Sequence, residues 1–301
     1  MSMVFLLGRR KYMAGLCRYS FSTLIVLALR ALKLESNSSV RQIRGCSMHK
    51  LISNCLIYIL GFSLFFQVAL AEEKPKKSKH ELAKATEVWK PVPPVIYLSQ
   101  SGVPSDAIVL FDGKDLDAWE SVKGGPAKWQ VSNGTFTVVP HSGSIMTKDS
   151  FCDVQLHIEW KSPAKIPGKS GQGLGNSGVF FQKRYEIQVL DSYENVTYSN
   201  GQAASVYKQH IPLVNAMRPT GEWQTYDVIF TAPRFSPDGK VERPAYMTAL
   251  HNGVLVLNHV KLGGPTVYVG PPKYEAHKCA PIMLQDHRDK VSFRNIWLRK
   301  L

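Results

Sequence analysis

One short stretch of the chain, YEIQVLDSY, places two carboxylates and an amide close together: Glu186, Gln188 and Asp191. A carboxylate can take up or deliver a proton, and an amide can hold a hydroxyl or carbonyl group of a ligand. The pattern Glu-x-Gln-x-x-Asp therefore indicates proton-transfer chemistry on a polar ligand, provided that the three side chains share one face.

A β-strand decides which side chains share a face, because successive side chains point to opposite sides. Glu186 and Gln188 would point outward from a two-sheet fold, whereas Asp191 has the wrong parity. A bulge at Leu190 would bring Asp191 round to the same face, since one extra residue re-aims the side chain that follows. The buried set of the same strand would be Tyr185, Ile187 and Val189.

Two further stretches carry outward-facing polar residues of the same kinds. DVQLHIEWK alternates strictly and presents Gln155, His157 and Glu159 on one face, and PIMLQDH does the same with Gln285 and His287. A solvated face would explain any one of these residues, but such faces are usually rich in Lys, Thr and Ser. We therefore predict that these strands line one groove, in which Glu159 and Gln285 contact the ligand.

The elements that must position these residues are short strands. From Asp106 onward, turn signals such as DGKD, SNGT, SPDGK and HNG recur at short intervals, with alternating apolar runs between them. The Asn-Gly pairs are typical of tight β-hairpins, and no stretch of twelve or more residues shows a helical period. The pattern predicts an all-β sandwich or barrel with two antiparallel sheets over residues 106–301.

The first 71 residues have the character of a leader. After Met48, a basic pair precedes the apolar run LISNCLIYILGFSLFFQVALA, which closes on the small-x-small sequence Ala69-Leu70-Ala71. These features are typical of a cleaved signal peptide that starts at Met48 and leaves Glu72 as the mature N-terminus. The run is also long enough for an uncleaved membrane anchor. We expect a periplasmic or secreted protein that contacts a membrane only if the leader stays attached.

The charge of the chain does not point to nucleic acid. Of the net charge of +14, +8 lies in residues 1–71 and +6 in the remainder. Part of that +6 lies in residues 72–105, a Lys- and Pro-rich stretch that we predict to be an extended linker. Because no basic stripe is interleaved with aromatic residues, nucleic-acid binding is not expected.

The cysteines and the potential metal ligands give weaker signals. Cys152 and Cys279 follow the leader, and an exported chain can pair them, but their spacing does not require it. Neither stands at a zinc-ligand spacing from a histidine. Asp, Glu, Gln and His of the groove can ligate a divalent ion, but no tight motif demands one. The sequence thus requires no cofactor and leaves a divalent metal open.

Seven stretches together resemble the 3-keto-disaccharide hydrolase family: FDGKDLDAWE, QLHIEWK, GNSGVFF, YEIQVLDSY, GEWQTYDVIF, HNGV and PIMLQDHRDKVSFRNIWLRKL. They occur in the family's order and cover residues 107–301. The resemblance implies an exported enzyme with a concanavalin-A-like, laminin-G-like jelly-roll sandwich. It also implies cleavage of glycosides whose glucose ring has first been oxidised to a 3-ketone.

The strand also resembles Glu-x-Asp-x-x-Glu of sandwich glucanases, but here Gln188 is in the middle and Asp191 at the end. This departure speaks against a two-carboxylate retaining mechanism. A 3-ketone acidifies the hydrogen at C2, so a base can remove it, the enolate can expel the C1 oxygen, and water can add back. We expect Glu186 to be the base and either His287 or Asp191 to be the acid.

The substrate-binding groups would be mostly neutral. Gln188, Asn176 and Gln285 would hold hydroxyls or the ketone, although Asn176 could equally be a plain loop-to-strand start. Tyr207 would offer a phenol or a stacking face to a sugar, unless it is simply a half-buried aromatic residue. A non-catalytic carbohydrate-binding module is the alternative function, because this fold serves both purposes. The acidic residues and the histidine predicted to face one groove favour the enzyme.

Overall fold

The computed structural model of the protein describes residues 76–165 and 167–301. The described residues fall into two units, 76–91 and 92–301. The predicted signal peptide, with its start at Met48 and its cleavage after Ala71, lies outside the described residues. Within the described ranges, no helix has the length and apolar character needed to cross a membrane.

A short helix, α1 (Lys79–Lys84), occurs in the first unit. It begins at a capping box, in which Glu81 N–H donates to the Ser78 hydroxyl (3.2 Å) and Ser78 N–H donates to the Glu81 carboxylate (2.7 Å). The prediction of an extended linker is wrong for these residues, because six residues are too few to show a helical period.

The described residues of the second unit contain fifteen strands. They are β1 (Ile108–Phe111), β2 (Trp119–Ser121), β3 (Gln130–Ser132), β4 (Thr135–Thr137), β5 (Ile145–Thr147), β6 (Val154–Lys161), β7 (Ser177–Phe181), β8 (Tyr185–Val189), β9 (Trp223–Thr231), β10 (Arg234–Phe235), β11 (Val241–Arg243), β12 (Tyr246–His251), β13 (Val254–Lys261), β14 (Met283–Leu284) and β15 (Ser292–Lys300).

These strands form two main antiparallel sheets. Eight belong to one sheet, in the order β13-β12-β9-β6-β15-β4-β3, with β1 also paired to β15. Five form the second sheet, in the order β2-β5-β14-β7-β8, while β10 and β11 form a small ribbon. The inner faces share one core, in which Phe181 of β7 stacks on Phe230 of β9 with ring centroids 4.8 Å apart. The predicted all-β, two-sheet antiparallel sandwich is confirmed.

The alternation in the sequence matches the burial of β6, whereas all five residues of β8 are buried. β6 buries every second side chain from Val154 to Trp160, and the apolar residues of β8 lie in the shared core. Both predicted Asn-Gly hairpins are present, with Asn133 and Asn252 in the left-handed region at φ of 50° and 53°.

Strand β8 lies at the end of the five-stranded sheet, but its outer edge is not bare. The segment 203–207 runs along it, because Gln188 N–H donates to Ser205 O (2.9 Å) and Ile187 forms an antiparallel bridge with Val206. This covering segment brings its own side chains beside those of β8.

The two cysteines of the second unit form a disulfide. The Cα atoms of Cys152 and Cys279 are 4.8 Å apart, and the bridge joins positions separated by 127 residues. Closing a loop of that length in the unfolded chain stabilises the fold by about 5 kcal/mol in the chain-entropy model.

Candidate active site

A cleft of about 610 Å³ lies over the outer face of the five-stranded sheet. Six of the eight predicted site residues line it: Asn176, Glu186, Gln188, Tyr207, Gln285 and His287. Five lining residues were not predicted: Gln172, Phe180, Tyr198, Thr266 and Tyr268. The two remaining predicted residues, Glu159 and Asp191, do not line the cleft.

Glu186 is the carboxylate at the floor of the cleft. Its side chain is buried, with the residue 4% exposed, while its backbone N–H donates to the Thr266 hydroxyl (3.1 Å). No group among the described residues donates a hydrogen bond to its carboxylate oxygens. Burial therefore acts alone and raises the pKa of Glu186 to about 8. Such a carboxyl group exchanges its proton in the pH range where enzymes work, and its ionised form is a stronger base than an ordinary glutamate.

The space for this carboxylate comes from a glycine on the neighbouring strand. In the β7–β8 register, Gly178 pairs with Gln188 and Phe180 pairs with Glu186. A Cβ atom at Gly178 would overlap Oε1 of Glu186 and would lie 2.7 Å from the ring of Phe180. A side chain at position 178 would therefore force the Glu186 carboxylate and the Phe180 ring to shift.

Three side-chain amides form a neutral cluster in the cleft. Nε2 of Gln188 lies 3.4 Å from Oε1 of Gln172 and 3.3 Å from Oδ1 of Asn176. Asn176 in turn donates from Nδ2 to the backbone carbonyl of Gln172 (2.8 Å). Because both contacts of Gln188 are long for hydrogen bonds, a ligand hydroxyl or carbonyl can compete for these amides.

Gln285 and His287 reach the cleft from the loop that follows β14. The Gln285 N–H donates to Gly178 O (3.0 Å), and its carbonyl accepts from the Ser177 hydroxyl (2.7 Å). These backbone contacts fix the start of the loop against β7. The imidazole of His287 is exposed at the cleft, where it can exchange protons with a ligand or with water.

Two aspartates anchor the same loop. Asp286 accepts from the Gly143 N–H (2.9 Å). Asp289, which is buried, accepts from the Asn176 N–H (2.9 Å) and pairs with Lys169 (3.0 Å). The motif QDHRD thus places two side chains in the cleft and uses two others to hold the loop that carries them.

Three tyrosines line another part of the cleft, and Lys208 lies beside them. The hydroxyls of Tyr198 and Tyr207 are 2.7 Å apart. Tyr268 is 74% exposed, and Lys208 Nζ lies 4.1 Å from its ring centroid and donates to its carbonyl (2.7 Å). Burial, followed by the hydrogen bond to Tyr198, raises the pKa of Tyr207 above that of an ordinary phenol.

Asp191 lies outside the cleft, and the predicted bulge is wrong. β8 ends at Val189 with no register shift against β7, and Leu190 is buried. The Asp191 carboxylate accepts from the Thr220 hydroxyl (2.7 Å) and from the Tyr193 N–H (3.2 Å). Because the strand ends here, the side chain fixes the following loop instead of joining Glu186, and it is not placed to act as the acid.

Glu159 also lies elsewhere, because β6 belongs to the eight-stranded sheet and not to the sheet of β8. The predicted groove shared by Glu159 and Glu186 is therefore wrong. The Glu159 carboxylate accepts from Arg294 Nε (2.6 Å) and Asn295 Nδ2 (2.9 Å), and it lies 3.9 Å from His157 Nε2. The neighbouring His157, then Asn295 and Arg294, lower the pKa of Glu159 to about 2.

His157 completes this second polar cluster. Its Nδ1 lies 2.7 Å from the Asp227 carboxylate, and its ring stacks on Trp297 with centroids 4.9 Å apart. Burial opposes protonation, but the hydrogen bond to Asp227 and the nearby negative charge of Glu159 outweigh it and raise the pKa of His157 to about 9. The imidazole thus lies between two carboxylates in an ionic network on the outer face of the larger sheet.

Sequence signals for the unpredicted cleft residues differ in strength. Phe180 has the parity of Gly178 and the opposite parity to Val179 and Phe181, so alternation alone could have placed it on the cleft face. The other four stand outside the strands. Their stretches show no alternation, so the sequence does not indicate which way these side chains point. They are Gln172, Tyr198, Thr266 and Tyr268.

The cleft offers a ligand one carboxylate, several amides, an imidazole and phenols. Across residues 76–165 and 167–301, no group of three or more His, Cys, Asp or Glu side chains is arranged to hold a metal ion. A concave, half-apolar site with a few convergent polar groups and a carboxyl of shifted pKa is typical of an enzyme that binds a small polar molecule. These groups suit a ligand with several hydroxyl or carbonyl oxygens, such as a carbohydrate.

Comparisons with known proteins support a carbohydrate-active enzyme. The family model of the 3-keto-alpha-glucoside-1,2-lyase-like domain matches residues 106–299, and the chain belongs to this family. Its domain is thus a hydrolase- or lyase-like domain that acts on glycosides.

Two solved structures, both of inferred glycosyl hydrolases from Parabacteroides distasonis ATCC 8503, are similar to the chain. The first is 50% identical with a TM-score of 0.71, and the match covers 75% of this chain and 100% of that one. The second is 23% identical with a TM-score of 0.49, over 65% and 94% of the two chains. A search of curated proteins found no match.

Proposed function

We propose that this enzyme cleaves 3-keto-glycosides by removal of the C2 proton, elimination of the C1 substituent and addition of water. The observation that carries the proposal is the state of Glu186: a buried carboxylate to which no described residue donates a hydrogen bond, in a cleft large enough for a sugar. A hydrogen next to a ketone is acidic enough for a carboxylate base, and the raised pKa of Glu186 strengthens that base.

The composition of the cleft supports elimination over direct displacement at C1. Glycosidases that work by displacement use two carboxylates that flank the anomeric carbon, about 5–10 Å apart. In the lining described by the structure, Glu186 is the carboxylate and its neighbours are amides, aromatic rings, a threonine and a histidine. A C2 base does not need a second carboxylate.

The remaining cleft residues divide between binding and proton transfer. Gln188, Asn176 and Gln285 would hold the hydroxyls and the 3-ketone, and Gln172 joins them. His287 lies where it can donate to an oxygen that gains negative charge, either the C3 oxygen of the enolate or the leaving group. Asp191, the other acid named from the sequence, lies outside the cleft and is not part of the proposal.

Purified protein incubated with a 3-keto-glucoside or with 3-keto-trehalose tests the proposal, with free 3-keto-glucose as the product measured. The matched control is the same glycoside with its C3 hydroxyl unoxidised. We expect release from the ketone only. Equal cleavage of both would point to direct displacement, and binding without cleavage of either would support the carbohydrate-binding alternative.

We also propose that the enzyme works outside the cytoplasm. The leader around Met48 motivates this proposal, and the Cys152–Cys279 disulfide is consistent with it, because disulfides persist in oxidising compartments. N-terminal sequencing of the exported protein should give Glu72 as the first residue. An intact Met1, or an uncleaved apolar run on the exported protein, would reject the proposal.

A further inference from the structure

Tyr207 stands directly beside the proposed base. Ile187 and Val206 form an antiparallel bridge. In such a pair the residue before Ile187 lies opposite the residue after Val206, so Tyr207 faces Glu186. Residues opposite each other in an antiparallel pair have Cβ atoms about 5 Å apart and point to the same face. Both side chains line the cleft. A phenol and a carboxylate therefore stand side by side in the cleft, where both would face a bound sugar ring.

A second phenol stands behind the first. The Tyr198 hydroxyl is 2.7 Å from the Tyr207 hydroxyl, and Tyr198 is 41% exposed, whereas Tyr207 is half-buried. When Tyr198 donates to Tyr207, the Tyr207 proton is free to point into the cleft. The pair thus forms a short hydrogen-bonded path from solvent to the position beside Glu186.

A positive charge accompanies both rings. Lys208 Nζ lies 5.7 Å from the ring centroid of Tyr207 and 5.9 Å from that of Tyr198. An ammonium group beside aromatic rings is attracted to their negative faces, which keeps a positive charge near this pair of phenols. Burial and Tyr198 keep the pKa of Tyr207 high, so this phenol retains its proton until a strongly basic oxygen, such as an alkoxide, develops nearby.

We infer that Tyr207 is a catalytic residue that protonates the leaving oxygen of the glycoside, and that Tyr198 restores its proton. This inference rests on the proposed function. It assigns the leaving-group acid to the tyrosine pair and leaves His287 to stabilise the C3 oxygen of the enolate.

The step balances with water as the co-reactant. Glu186 takes the C2 proton, and the C2–H electron pair forms the C1–C2 double bond through the enolate. The C1–O bond breaks with its electron pair on the leaving oxygen, which takes the proton of the Tyr207 hydroxyl. Tyr207 then takes a proton from Tyr198, and Tyr198 takes one from water. Glu186 returns its proton to solvent or to C2 when water adds.

The test is a series of 3-keto-glucosides with leaving groups from a sugar hydroxyl to 4-nitrophenol. An acid matters most for a poor leaving group, whereas 4-nitrophenolate leaves without one. For Tyr207→Phe we expect kcat to fall about 100-fold or more with the sugar leaving group and less than about 3-fold with 4-nitrophenol. If Tyr207 had only a structural role, the substitution would lower kcat for all substrates by the same factor.

Three further variants make the result specific. Tyr198→Phe should give a smaller loss with the same dependence on the leaving group. His287→Gln should lower kcat by a similar factor across the series. Tyr246→Phe is the matched control, because Tyr246 stacks on His259 in the larger sheet, and it should change nothing.

The outcomes separate the two proposals. If the unmodified protein cleaves the series but Tyr207→Phe shows no dependence on the leaving group, the role of Tyr207 is wrong and the proposed function stands. A steep dependence in His287→Gln with a flat response in Tyr207→Phe would assign the acid to His287. If the unmodified protein cleaves none of the 3-keto-glucosides, the proposed function fails and this inference fails with it.

Discussion

Glu186 and Glu159 stand on the outer faces of the two sheets, in strands that alternate in the same way, yet their surroundings are opposite. Glu159 lies among Arg294, Asn295 and His157, and its pKa is about 2. Glu186 is more deeply buried, has no donor to its carboxylate among the described residues, and has a pKa of about 8. One carboxylate is stabilised as a charge, and the other is held ready to change its protonation state.

This contrast shows how to distinguish a structural carboxylate from a reactive one. An unsatisfied buried acid costs stability, and a chain retains that cost where function needs the shifted pKa. A buried ion-pair network has all of its charges partnered and resists proton transfer. The residue types in the two regions are similar, so the difference arises from what the fold brings next to each carboxylate.

The comparison predicts the largest effect on activity when the charge of Glu186 is removed. Glu186→Gln should lower kcat on a 3-keto-glycoside by roughly 10²–10⁴, the usual contribution of a general base, and leave stability equal or slightly higher. Steady-state kinetics and thermal unfolding measure both effects. Full activity in this variant would remove Glu186 from the mechanism.

A smaller loss is expected when Glu186 is kept but displaced. Gly178→Ala places a methyl group where the carboxylate lies, and a misplaced base should lower kcat roughly 10- to 100-fold. Gly173→Ala is the matched control, because a Cβ atom there meets only Lys169, at 4.0 Å. If both variants keep the wild-type rate, the position of Glu186 does not limit the reaction.

The two regions should also respond to pH in opposite directions. Glu186 has a folded pKa above its ordinary value of 4.5, so the stability it contributes is lost as pH rises from about 4.5 to about 8. Glu159 has a folded pKa below 4.5, so its contribution is lost as pH falls from about 4.5 to about 2.

Urea unfolding across pH measures both slopes. The difference between wild type and Glu186→Gln isolates the first one, because His157 also loses its contribution between about 6.5 and 9. Parallel curves for these two proteins between pH 4.5 and 8 would show that the Glu186 carboxyl group is not perturbed.

The smallest effect on activity is expected in the ionic network. Glu159→Gln removes the charge that Arg294 and His157 face, so the free energy of unfolding should fall by about 1–3 kcal/mol. Because Glu159 lies outside the cleft, kcat/KM should stay within about 2-fold. Chemical denaturation measures the free energy of unfolding, and steady-state kinetics measures kcat/KM. A large loss of activity at full stability would place Glu159 in the active site.

The sequence predicted the sandwich and the outward parity of Glu186 and Gln188, because alternation along a strand depends on local pattern alone. It could not predict which sheet β6 would join, since sheet membership is set by contacts between distant segments. Asp191 was misplaced because the end of a strand depends on the loop it meets, here through Thr220. Tyr198 was missed because loop residues carry no period.

The most direct test of the central claim is exchange of the C2 hydrogen. A 3-keto-glycoside incubated with the enzyme in deuterated water can be followed at C2 by NMR or mass spectrometry. If Glu186 removes this proton reversibly, deuterium should enter recovered substrate with wild type and with Glu159→Gln, but not with Glu186→Gln. Cleavage by wild type that leaves the C2 hydrogen of both substrate and product unexchanged would contradict the account.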